Sequence, residues 1–157
     1  MKAATVREIK QELSNCSPGE LLELCLQLSK FKKENKELLT YLLFEASNEA
    51  TYIESVKREV ADQFEQINKT SYYFIKKSAR KILRNIKKYI RFSKKKETEV
   101  ELMIYYCSEL NKINPSIDNN VALRNLYKQQ IEAIRKTIST LHEDLQYDYE
   151  VELNELM

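Results

Sequence analysis

One glycine, Gly19, and two prolines, Pro18 and Pro115, are the only residues of those two kinds in 157. Average usage would give roughly 11 and 8 in a chain this long. Tight turns must therefore be few, and β folds, which need many of them, fit badly. Neither Gly-x-Gly-x-x-Gly nor Gly-x-x-x-x-Gly-Lys can be written with Gly19 alone, which excludes the usual dinucleotide and Walker phosphate cradles. The apolar fraction of 43% suffices for a single helical domain over residues 1–157 that buries roughly 70% of the unfolded chain's surface.

Apolar residues recur at helical spacing almost throughout, and polar joints divide the helices. Thr5 to Leu13 is short and amphipathic through Val6, Ile9 and Leu13. Ser17-Pro18-Gly19-Glu20 starts the next helix: Ser17 caps, Pro18 needs no amide donor in the first turn, and Glu20 returns the capping bond. That helix carries Leu21, Leu22, Leu24, Cys25, Leu28 and Phe31, a band so wide that the helix is expected to be central. Asn35 is the next cap candidate, and Ser47 or Asn48 restarts a helix with the stripe Tyr52, Ile53, Val56, Val60, Phe64 and Ile67.

After a break at Asn68 to Ser71, helices are expected over Tyr72 to Phe92 and from about Glu97 to Ile113, ahead of Pro115. Asp118 or Asn119 should cap another from Val121 to about Leu141. Tyr147 to Leu153 alternates like a strand, but Leu141, Leu145, Tyr149, Leu153 and Leu156 keep helical spacing, and a lone strand would have no ladder partner. The expected fold is all-α, six to eight antiparallel helices in an irregular bundle or a short stack of helical hairpins.

Leu13-Ser14-x-x-Ser17-x-x-Glu20-Leu21-Leu22-x-Leu24-x-x-x-Leu28 with Lys32-x-x-x-Lys36-x-x-Leu39 is one distinctive stretch and Glu101-Leu102-Met103-Ile104-Tyr105-Tyr106 a second. Both resemble a family of small all-helical bacterial proteins of unassigned function. The resemblance implies an all-helical fold and attaches no activity to it.

Charge is segregated. Residues 1–68 hold 9 basic and 12 acidic side chains, residues 69–96 hold 12 and 0, and residues 97–157 hold 5 and 12. On a helix, Lys76, Lys77, Arg80, Lys81, Arg84, Lys87, Lys88 and Arg91 fall within an arc of roughly 140°, with Ile75, Ala79, Ile82, Leu83, Ile86, Tyr89 and Ile90 opposite. Tyr73 lies on the cationic side, and Lys94 to Lys96 would extend it. Five like-charge pairs four residues apart oppose the isolated helix by roughly 1 to 2.5 kcal/mol, so an acidic counterpart is expected. The acidic C-terminal segment, with Glu143, Asp144, Asp148, Glu150, Glu152 and Glu155, is the internal candidate. The external ones are an acidic protein surface, a second copy of this chain, or nucleic acid bound through phosphates without sequence discrimination and with strong salt dependence. A membrane surface is the weakest, because the helix's apolar face belongs to the core.

Catalytic chemistry is sparse. His142 stands alone, without His-x-x-x-His, Glu-x-x-His or paired cysteine spacing, and reads as a solvated or locally hydrogen-bonded side chain. Cys16, Cys25 and Cys107 are odd in number and widely spaced, which suits reduced thiols in a cytoplasmic protein, two of them buried. The N-terminus shows no apolar export segment. Most of the 10 tyrosines and 5 phenylalanines fall on apolar stripes and are expected in the core. The function expected is that of a non-catalytic interaction or adaptor module that uses the basic helix face, with no cofactor and no metal. Nucleic-acid binding through the same face is the alternative.

Overall fold

The computed structural model describes residues 1–157 and is all-α, with eight α-helices and no strand. They are α1 (Val6–Ser14), α2 (Pro18–Phe31), α3 (Lys33–Thr40), α4 (Glu49–Glu65), α5 (Tyr72–Ser93), α6 (Lys96–Asn111), α7 (Val121–Ile138) and α8 (Glu143–Glu155). A π-helical turn, Tyr41–Glu45, follows α3, and a 3-10 turn, Ile117–Asn119, precedes α7. The chain divides into two compact units, Met1–Phe44 and Glu45–Met157.

In the first unit, capping boxes start both opening helices. Thr5 and Glu8 exchange bonds at the head of α1, and Ser17 and Glu20 do so at α2, with Pro18 in the first turn. Helix α2 packs on α3, yet neither contains a buried residue. Leu22 is 59% exposed, Leu28 62% and Phe31 77%. The expectation that α2 is central is therefore wrong. A wide apolar band measures how hydrophobic a helix is and leaves open whether its own chain covers it. Asn35 also has another role than capping α3: its side-chain amide donates to the Leu28 carbonyl at 2.8 Å, which satisfies the C-terminal end of α2.

The second unit is built around α6, which packs against α4, α5, α7 and α8. Its Val100, Leu102, Met103, Ile104, Tyr106, Cys107 and Leu110 are all buried, so its apolar residues go nearly all round, as a helix with neighbours on every side requires. Helix α4 contributes the expected Tyr52, Ile53, Val56, Val60 and Phe64, and Asn48 caps it through Thr51 N–H. The cap of α7 is Asn120, which accepts from Leu123 N–H at 3.0 Å, and not Asp118 or Asn119, which lie in the 3-10 turn. The C-terminal segment is helical, anchored by fully buried Leu153. One thiol is buried rather than two: Cys107 is enclosed, Cys16 half-buried and Cys25 exposed. No helix is long and apolar enough to cross a membrane.

Candidate interaction surface

Helix α5 is the scaffold of the basic stripe. Ile75, Ala79, Ile82, Leu83 and Ile86 are buried on one side, so side chains about 180° away must look outward. Lys77, Arg80, Lys81, Arg84, Lys87 and Arg91 are exposed, and Lys76 and Lys88 are half-buried. Three tyrosine hydroxyls fix the rotation of this helix. Tyr52 of α4 donates to the Tyr89 carbonyl at 2.8 Å, Tyr106 of α6 donates to the Ala79 carbonyl at 2.8 Å, and Tyr72 donates from α5 to the Ser116 carbonyl at 2.7 Å. Each bond ties α5 to a different neighbouring segment, so the helix cannot roll without losing these hydrogen bonds, of which that of Tyr106 is buried and the other two half-buried.

Lys76, Lys77, Arg80, Lys81, Arg84, Lys87 and Arg91 have no carboxylate within 4.0 Å. Lys88 differs, since its Nζ lies 4.7 Å from the centre of the Tyr89 ring, at cation–π distance. Tyr73 is 63% exposed, stands edge-on to Phe74 with ring centres 5.3 Å apart, and borders a shallow cleft of about 290 Å³ with Lys76, Lys77, Arg80 and Arg84. The sequence-derived residues are thus brought together on one outward face.

The stripe does not extend past the helix end as expected. Lys94 takes the left-handed conformation, φ 61°, that ends α5. Lys95 pairs with Glu49 at 3.4 Å and Lys96 with Glu99 at 3.3 Å. Glu49 was missed in the sequence because its partners lie more than forty residues away. It accepts from the Ser93 and Thr98 hydroxyls, the latter at 2.9 Å, and holds the head of α4 against the α5–α6 joint. Helix α8 packs on α7 and α6, and none of its carboxylates lies within 4.0 Å of a cation of the stripe.

His142 caps α8: its Nδ1 accepts from Asp144 N–H at 3.3 Å. No three His, Cys, Asp or Glu side chains converge to hold a metal. Burial pushes the Cys107 thiol up to about 12 and raises the Tyr106 phenol as well. A cleft at the α5–α6 joint, about 680 Å³, is lined by Lys57, Lys95 and Lys96 together with Glu49, Glu54, Glu97 and Glu101. Its charges answer one another, with Lys57 bridging Glu54 at 3.6 Å and Glu101 at 3.8 Å. Set against family models, curated proteins and solved structures, the chain matches none.

Proposed function

We propose that the protein is a non-catalytic interaction module whose α5 face meets acidic groups of a partner protein. The supporting observation is the set of seven cations without a carboxylate within 4.0 Å, on a helix whose rotation three tyrosine bonds fix. From Lys76 to Arg91 they span about 22 Å at 1.5 Å per residue. Mutual repulsion at that density costs stability, and contact with anions would relieve it. The uncovered leucines of α1 and α2, such as Leu13, Leu22 and Leu28, point to protein contact too, because apolar surface finds no complement on a phosphate backbone. Three unpaired thiols support a reducing, cytoplasmic location.

A second reading, salt-sensitive nucleic-acid binding through the same face, draws on exposed Tyr73 in its cationic cleft, where a phosphate could sit beside a stacked base. One titration separates the two. Labelled polyglutamate and a short labelled DNA duplex are each titrated at two salt concentrations, with the wild type and with the variant Lys77→Gln/Arg80→Gln/Arg84→Gln. The proposal expects saturable polyglutamate binding that the variant loses, and weaker duplex binding. Seven phosphate contacts would instead give a log-affinity slope against log salt of about −6. Tighter binding to the duplex with that slope would replace the protein reading, and no binding to either polyanion at low salt would refute both. Sedimentation of the free protein reads whether the partner is a second copy.

A further inference from the structure

The unit Met1–Phe44 lacks an interior of its own. No residue of α1, α2 or α3 is buried, and Tyr41, in the π-helical turn, is the one enclosed side chain. A unit this small ordinarily relies on disulfides, a metal or association with another surface. Its cysteines, Cys16 and Cys25, are unpaired, and no cluster of His, Cys, Asp or Glu could hold a metal. The apolar residues left uncovered are ordered rather than scattered. On α2, Leu21, Leu24, Leu28 and Phe31 follow the 3-4-3 spacing of a coiled-coil seam and fall within about 80° of arc. On α1, Val6, Ile9 and Leu13 form a stripe that reaches this seam, because Ile9, Leu13 and Leu24 line one shallow cleft of about 220 Å³.

The exposures of these seven residues add up to about four whole side chains, roughly 500 Å² of apolar surface at about 120–150 Å² each. Interfaces are about 57% apolar, so such a patch belongs to roughly 900 Å² per partner, close to the roughly 800 Å² of a standard stable interface. The seam is also symmetric about Leu26. A copy turned end for end brings Leu21 level with Phe31 and Leu24 level with Leu28, apolar against apolar at every step. Charge follows the same order. The head of α2 carries Glu20 and Glu23 and its end carries Lys30, with Lys32 and Lys33 just beyond. End-for-end pairing therefore sets opposite charges level and aligns the two helix dipoles favourably. Residues 1–44 hold 7 basic and 6 acidic side chains, too little net charge for two copies to repel. We propose that a second copy of this chain covers the seam, α2 packing antiparallel on α2 across a two-fold axis at Leu26. The α5 stripe takes no part in this contact, so the proposal does not depend on an acidic partner.

Sedimentation equilibrium of the full chain from about 1 to 100 μM should show a mean mass rising toward twice that of one chain. The rise should persist in about 1 M salt, because salt does not screen an apolar seam. Leu28→Glu, at a position open to solvent in the single chain, should raise the dimer Kd about a hundredfold or more, since the change enters the interface twice. Val121→Glu, equally exposed but on α7, should leave the Kd unchanged, and so should the stripe variant Lys77→Gln/Arg80→Gln/Arg84→Gln. Orientation is read by cross-linking in a Cys16→Ser/Cys25→Ser background, with a bismaleimide that spans about 8–10 Å, the interaxial distance of packed helices. Leu21→Cys and Phe31→Cys chains should link when mixed, and neither should link to itself. A chain that stays monomeric at about 100 μM, a dimer that dissolves in salt or in the stripe variant, or self-linking of Leu21→Cys would each overturn the proposal, whatever polyglutamate binding shows.

Discussion

Arg80 gives the sharpest test of whether the α5 stripe is uncompensated. It sits near the middle of the helix, exposed, with Lys76 one turn before it and Arg84 one turn after. Neither it nor those neighbours has a carboxylate within 4.0 Å. Like charges four apart on a helix destabilise by about 0.2–0.5 kcal/mol a pair. Arg80→Gln removes two such pairs and should stabilise the fold by about 0.4–1.0 kcal/mol. Arg80→Glu turns both repulsions into attractions and should gain about 0.8–2 kcal/mol. Arg, Gln and Glu have similar helix propensities, so the backbone contributes little to either change.

The assay is urea unfolding of the full chain at low ionic strength, repeated in about 1 M salt, where the screening length falls to about 3 Å and the gain should nearly vanish. In thermal unfolding the reversal corresponds to a rise of about 2–8 °C. A variant more stable than the wild type yet weaker toward polyglutamate would show a surface arranged for binding at a cost to folding. If Arg80→Glu destabilises by 1 kcal/mol or more, or if the gain survives 1 M salt, the premise of mutual repulsion between unpaired cations fails.

Two further outcomes follow from the core. Tyr106→Phe deletes the hydroxyl that donates to the Ala79 carbonyl at 2.8 Å in a fully buried position; it should lower unfolding free energy by about 0.5–1.5 kcal/mol, and a change below the error of the unfolding curve would deny this bond its part in holding α5. The thiols should separate by exposure: at pH 8 a thiol reagent should label Cys25 first, Cys16 more slowly and Cys107 only in denaturant, and rapid native labelling of Cys107 would contradict its enclosure. Because burial raises the Cys107 pKa from 9.0 to about 12, the unfolded thiol ionises above pH 9 while the folded one keeps its proton. Stability is therefore undiminished below pH 9 and falls as pH rises from 9 toward 12, by up to about 1.4 kcal/mol per pH unit from this group. Unfolding curves at pH 9 and 10 should show a slope that Cys107→Ala reduces.

The α5 stripe was legible because local information suffices for it. A long helix with apolar residues on one side has a single way to face the core, and the buried set Ile75, Ala79, Ile82, Leu83 and Ile86 leaves the cations only one direction. The box at Ser17 and Glu20 was equally legible, since its partners are three residues apart. The errors come where the deciding partner is distant or where several residues compete. Asp118, Asn119 and Asn120 can each cap a helix, and the 3-10 turn takes the first two. Lys95 reads as a free cation until folding brings Glu49 to it, whereas Glu99, three residues after Lys96, is a local partner that the reading of the sequence overlooked.

The confusion of α2 with α6 bears most directly on function. Both carry apolar residues around most of their circumference, and periodicity ranks them alike. In α6 the band is covered by four neighbouring helices. In α2 the same kind of band packs on α3 and leaves Leu22, Leu28 and Phe31 in water. Exposed leucines singly are ordinary, but thirteen large apolar residues stand exposed between Val6 and Phe44, and at about 25 cal/mol per Å² such a surface gains from being covered. The unpaired cations of α5 repel one another and the leucines of α2 contact water, so each surface is less favourable in the free chain than in contact with a complement. Protein contact can answer either demand, an acidic patch the first and an apolar one the second, whereas DNA would answer the first and leave the second untouched.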